Sequence, residues 1–207
     1  MTAGRKLIEA ALRVPMRERG CAPRAAGWFT RPVTPGTLGV DAVGVASKRA
    51  EPGQVGATIY VHLRDEQLDA EVTSVTGSTD WGYRTTTSTT SAGYLIPSAR
   101  WSEWHVELDS ADAVADEMAD AVQTYAEPHL RRLAADPQAL LAAITSSPSY
   151  SGSSGLARAV LLLRAHGEDA EAAQLLGDRV TGLADRTDAA ATEERRVGAI
   201  LGRLLAQ

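Results

Sequence analysis

The side chains able to do chemistry are few and widely spaced. His62 and His105 each fall in a stretch that alternates apolar and polar residues, so two neighbouring strands would present them on one face together with Glu103 and Glu107. An imidazole beside a carboxylate is an acid–base pair, and it is also part of a zinc ligand set. The candidate catalytic residues are therefore His62, His105 and Glu103, while the same residues also make an ordinary polar outer face. His129 follows Pro128 at a helix start and His166 stands at a helix end, where a cation favours the dipole; both read as structural. No HExxH or paired spacing is present, so no metal is expected. Asp65, Glu66, Asp69 and Glu71 form an acidic cluster that matches no calcium loop and reads as a solvated edge. Cys21 lies between Arg19 and Arg24, which would lower a thiol pKa, but a lone cysteine after a helix is also what a small buried apolar position looks like.

Cofactor signatures are missing. There is no GxxxxGK[ST] loop, and Gly36, Gly39 and Gly44 do not make GxGxxG, so no cofactor is expected. The run Gly152-Ser153-Ser154-Gly155 is one residue too short for a GxSxG nucleophile elbow and follows a Pro/Ser loop instead of a strand. Aromatic residues concentrate elsewhere. Trp81, Tyr83, Tyr94, Trp101 and Trp104 lie in and beside a Ser/Thr-rich segment, with Arg84 and Arg100 among them. Trp, Tyr and Arg are enriched at binding hot spots, and Ser, Thr and Gly supply adaptable hydrogen bonds around them. Trp104 reads as core. Trp81, Tyr83, Arg84, Arg100 and Trp101 are the candidate binding residues.

The elements that must position these groups follow from periodicity. Residues 3–19 read as a helix carrying Leu7, Ile8, Ala11, Leu12 and Met16, interrupted by Pro15 and stopped by Gly20. Residues 27–65 read as three antiparallel strands with short turns at 32–36 and 51–53. The second, 38–47, is apolar on both faces and so internal. In the third, 56–64, Ile59, Val61 and Leu63 face a core while Tyr60, His62 and Arg64 face outward. Residues 66–76 fit either a short helix face or an irregular strand, and the stretch 78–94 reads as a long exposed hairpin or a mobile loop. A strand at 101–108 puts Trp104, Val106 and Leu108 on one face. A capped helix over 111–125 follows, broken at Glu127-Pro128, and Asp136-Pro137 starts another. The Ser/Pro/Gly-rich run 146–155 reads as a linker. Beyond it, helices are expected over 156–166, 169–184 and 189–206, in a pattern that shows one turn of a helical-hairpin repeat.

The order helix, Gly20-Cys21, Gly27-Trp28-Phe29-Thr30-Arg31, strand meander, Trp101-x-x-Trp104, and a helix ending in Pro128-His129-Leu130 resembles the bacterial domain-of-unknown-function 4304 family over about residues 5–145. The resemblance implies a helix leading into a curved antiparallel sheet closed by a helix. It supplies no catalytic residues.

Composition sets the frame. The 207 residues are 44% hydrophobic and 23% charged, enough for a sizeable core, and that core must be built from Ala, Leu and Val because Phe29 is the lone phenylalanine. The net charge of −5 weighs against general nucleic-acid or anionic-membrane binding. One cysteine excludes an internal disulfide and fits a reducing cytosol. No signal peptide is evident, and no run approaches the ~18 apolar residues of a spanning helix. The expected fold is α+β: an N-terminal helix, an antiparallel sheet of four to six strands packed by a long helix, then a C-terminal helical subdomain. The expected domains are 1–145 and 156–207. The leading functional expectation is a cytoplasmic bacterial protein-binding module without catalysis, an adaptor or toxin-neutralising protein, with its oligomeric state open. A hydrolase or nuclease-like enzyme using His62 and His105, or a small-ligand-binding protein, are the alternatives. A separation of His62 and His105 beyond about 10 Å defeats the enzyme reading, because acid–base partners must lie within roughly 3 Å of the proton they move.

Overall fold

The computed structural model describes residues 3–46, 53–97, 103–107, 109–147, 150 and 152–207. The chain opens with α1 (Ala3–Ala11) and α2 (Arg13–Glu18), followed by β1 (Ala22–Pro23), β2 (Trp28–Thr34), β3 (Thr37–Ala46) and β4 (Gln54–Asp65). Then come α3 (Glu66–Thr76), β5 (Ser88–Ser91), α4 (Ala92–Leu95) and β6 (Trp104–Glu107). The remainder is helical: α5 (Ala111–Ala121), a π turn (Val122–Ala126), α6 (Glu127–Ala135), α7 (Pro137–Thr145), α8 (Ser153–Ala165), α9 (Asp169–Thr181) and α10 (Ala189–Leu205). This is an α+β fold with an N-terminal helix, an antiparallel sheet and helices toward the C-terminus. Among the described residues, no helix is long and apolar enough to cross a membrane.

The sheet runs β1-β2-β3-β4-β5, and β6 also pairs with β4, so β4 is the strand that three others pair against. Strand alternation sorts the residues. Phe29, Val43, Ile59, Val61, Leu63, Trp104 and Val106 are buried, and the register Val55↔Val106 and Ala57↔Trp104 puts the last two on the odd-numbered face of β4. Ile8, Leu12 and Met16 are buried with them, as are Ala115 and Met118 of α5. Gly39 belongs to this face because a Cβ there would lie 2.9 Å from Cδ1 of Leu130. β3 lies between β2 and β4 and is covered on both sides, as its two apolar faces predict.

Helix boundaries follow their caps. Asp65 accepts a hydrogen bond from the Leu68 amide at 2.9 Å, Gly77 closes α3 at φ +69°, and Leu68, Val72 and Val75 are its buried stripe, so 66–76 is a helix. Asp136 accepts from the amides of Gln138 and Ala139 ahead of Pro137, the start its sequence predicts. Pro15 falls in the first turn of α2, and the one bond its missing N–H removes from the ladder is that to the carbonyl of Ala11, where α1 ends. The expected break at Glu127-Pro128 takes a different form: α5 runs into the π turn and then α6, and the wide turn accommodates a ring that would clash in a regular helix.

The contacts divide the chain into two compact units, Met1–Leu63 with Thr89–Arg132, and Arg64–Ser88 with Leu133–Gln207. In the second unit α8 is the centre. It is buried almost all round, from Leu156 to Leu163, and packs against α3, α7, α9 and α10. This grouping differs from a single cut at 146–155, because α3 spends its apolar stripe on α8. Within 146–155, residues 148, 149 and 151 lie outside the described set, and α8 already begins at Ser153.

Candidate functional site

The loop after α3 is built around one side chain. Arg64, near the end of β4, is buried, although strand alternation alone predicts an outward residue. Its guanidinium grips Asp80 through two bonds, Nη1–Oδ1 at 3.1 Å and Nη2–Oδ2 at 2.9 Å. Nη1 also donates to the carbonyls of Gly82 at 2.6 Å and Thr85 at 3.0 Å. The planar fork of arginine suits this, since several acceptors can share one fixed donor set. Asp80 in turn accepts from the Gly82 amide at 2.8 Å, and the Trp81 amide donates to Oγ1 of Thr85 at 2.8 Å. Hydrogen bonds from Arg64 hold the Asp80 carboxyl down to about 2.

What this clip presents is an aromatic. Trp81 is 69% exposed, the largest such exposure among the described large apolar side chains. Arg84 is exposed and lies over the Tyr83 ring at 5.6 Å from its centroid. Trp81, Tyr83 and Arg84 are thus brought together on one short turn, residues 81–85. Arg100 and Trp101 lie outside the described residues.

The Ser/Thr-rich stretch differs from a uniformly exposed hairpin. Thr87, Ser88 and Ser91 are buried, and the hydroxyls of Thr87, Thr89 and Ser91 bond side chains of α3 and β4. Thr87 donates to Asp69 Oδ2 at 2.9 Å and accepts from the Asp65 amide at 2.8 Å. Asp69 itself is fully buried and paired with Arg158 at 3.1 Å; burial pushes its carboxyl up while Arg158 pulls it down. The acidic cluster 65–71 is therefore a helix cap, a buried ion pair and exposed Glu66, rather than one solvated edge.

The histidines do not converge. His105 pairs in register with Gly56, six residues before His62 along β4. At ~3.3 Å per residue this sets them about 20 Å apart, several times the reach of concerted acid–base chemistry. Glu103 immediately precedes Trp104, the partner of Ala57, so it too falls about four strand residues, roughly 13 Å, short of His62. His62 is only 8% exposed, where alternation predicts an open face. Its ring stacks on Trp28 with centroids 5.4 Å apart, and Nδ1 shares a hydrogen bond with Thr89 at 2.9 Å. Burial drives its pKa down to about 4, so it is neutral at pH 7. Among the described residues, no group of three or more His, Cys, Asp and Glu side chains is placed to hold a metal ion.

One constellation escaped sequence reasoning. Arg31 of β2 and Asp41 of β3 form a buried ion pair on the core side of the sheet, and Arg31 Nη1 also reaches Cys21 Sγ at 3.3 Å. Burial raises the Cys21 thiol, against the direction expected from Arg19 and Arg24, which are engaged with Asp120 and Thr30. The legible signal was Asp41 itself, a lone acid in the apolar run Thr37–Ala46. No protein-family model matches the chain, nor does any curated protein or solved structure.

Proposed function

We propose that the protein is a non-catalytic binding module that engages a protein partner through the turn carrying Trp81, Tyr83 and Arg84. The observation that carries this reading is a single one: a mostly exposed tryptophan mounted on a backbone fixed by the buried Arg64 clip. Rigid exposed aromatics lose little entropy on binding, and a preorganised loop lowers the cost of association further. Arg84 adds a cation beside the aromatic pair, the composition typical of interface anchors. The finer reading is a cytoplasmic adaptor or toxin-neutralising protein. The remote placement of His62 and His105 supports the binding reading over the enzymatic one.

The test is a partner captured from the source organism, identified, purified and titrated against variants. Trp81→Ala should weaken binding by at least roughly 10-fold, with smaller losses for Tyr83→Ala and Arg84→Ala. All three should keep the wild-type melting temperature, because surface changes away from packed features stay within about 0.5 kcal/mol. Undiminished affinity in Trp81→Ala, or a melting temperature several degrees lower, would sink the reading.

A further inference from the structure

We infer that the N-terminal helices carry a self-complementary surface that docks a second copy of this chain. The helical hydrogen bonds run on from α1 into α2 through Leu12, whose amide bonds Ile8 O and whose carbonyl accepts from Met16, so one helical wheel of ~100° per residue covers both. Ile8, Leu12 and Met16 point into the core. Leu7 and Val14 do not: they are 42% and 58% exposed, although the sequence periodicity assigns Leu7 to the buried stripe. With Ala10 and Ala11 they form an apolar strip one flank of which borders α5, where Asp112 and Asp116 complete a groove of about 540 Å³. On the wheel, Lys6, Arg13 and Arg17 fall on the other flank, and all three are exposed.

The surface therefore reads, from side to side, as an acidic row, an apolar strip that ends at exposed Glu18 of α2, and a basic row. Among the described residues no ion pair engages the side chains of Lys6, Arg13, Arg17 or Asp112, and Asp116 is reached only at 3.6 Å by Arg19, which is held more closely by Asp120 at 2.6 Å. A twofold axis lying in the interface and running along α1–α2 sets strip against strip and each basic row against the partner's acidic row. An axis across the helices would set like charges together, so the charge pattern selects one dimer geometry. A different protein would have to bring both rows in mirrored order, which a second copy does by symmetry. The strip is small beside the ~800 Å² per partner of stable interfaces, so the dimer is weak, concentration-dependent and loosened by salt.

Sedimentation velocity on the full chain, from micromolar to near-millimolar concentration, tests this. Wild type should move from monomer to dimer, and Val14→Glu should shift that transition at least roughly 10-fold upward in concentration. The double variants Arg13→Glu/Arg17→Glu and Asp112→Lys/Asp116→Lys should each be monomeric alone and form a one-to-one heterodimer when mixed. A wild type that stays monomeric, a dimer indifferent to Val14→Glu, or folded swap variants that do not complement each other would each overturn the inference. Should a swap variant fail to fold, Val14→Glu, at a half-exposed position, still decides the matter.

Discussion

Arg31 and Asp41 neutralise each other where neither charge could stand alone. Asp41 is fully buried and Arg31 nearly so, and among the described residues Arg31 Nε and Nη2 and Asp41 Oδ1 have no hydrogen-bond partner. A pair so incompletely satisfied adds little net stability, yet removing one member strands the other. Arg31→Met should therefore cost about 3–5 kcal/mol in urea unfolding, and Arg31→Met/Asp41→Leu should recover most of it. Additive losses in the double variant would show that the pair contributes through packing instead. His62 makes the corresponding case for pH. Its folded pKa of about 4 lies below the ordinary 6.5, so the unfolded chain takes up the proton first. Stability from this group is then complete above pH 6.5 and erodes as pH falls toward 4, by up to roughly 3 kcal/mol. The Cε1 proton resonance of His62 should titrate with a midpoint near 4. A midpoint at the ordinary histidine value would mean that the ring is open to water, contrary to its stacking on Trp28.

At the scale of elements, what could be read from the sequence was whatever depends on local period or local caps. β2, β3 and β4 were legible from alternation and turns, α7 from Asp136-Pro137, and α8 to α10 from their apolar spacing. What could not be read depends on partners distant in the chain. Residues 66–76 fit two periods equally; the Asp65 cap and the packing of Leu68, Val72 and Val75 decide for the helix. The hydroxyls of Thr87, Thr89 and Ser91 suggest solvent until Asp69, His62 and Thr58 are known to lie opposite them. Alternation marks Tyr60, His62 and Arg64 alike as outward, and only Tyr60 is. The other two are covered, one by Trp28 and one by the loop it clips, and coverage of a sheet's second face leaves no period in the strand itself. The candidate site was legible in its types, Trp81, Tyr83 and Arg84. Its organiser, Arg64, was visible only as a polar strand residue, because its acceptors begin sixteen positions away.

At the scale of the whole molecule, chain order and packing part company. The piece Arg64–Ser88 groups with Leu133–Gln207, so the segment bearing the Trp81 turn shares a unit with the C-terminal helices. Asp69 is the clearest link within that unit, a fully buried carboxylate of α3 whose cation, Arg158, comes from α8. Arg196 of α10 adds a bond to the Thr76 carbonyl at 2.7 Å, at the end of the same helix. A fragment ending at residue 147 would keep α3 but lose both arginines and the apolar surface of α8. Leu68, Val72 and Val75 would then each forfeit part of the roughly 1.5–3 kcal/mol that burial supplies, and Asp69 would be left without its counter-charge. The fragment should bind a hydrophobic dye, and the amides of α3 should exchange hydrogen far faster than in the full chain. Arg158→Met in the full chain should reproduce the ionic part of that loss alone, about 3–5 kcal/mol, with α3 still protected by its apolar stripe. Native-like protection of α3 in the shorter fragment would contradict the argument, since it would mean that α3 is held by residues before 148.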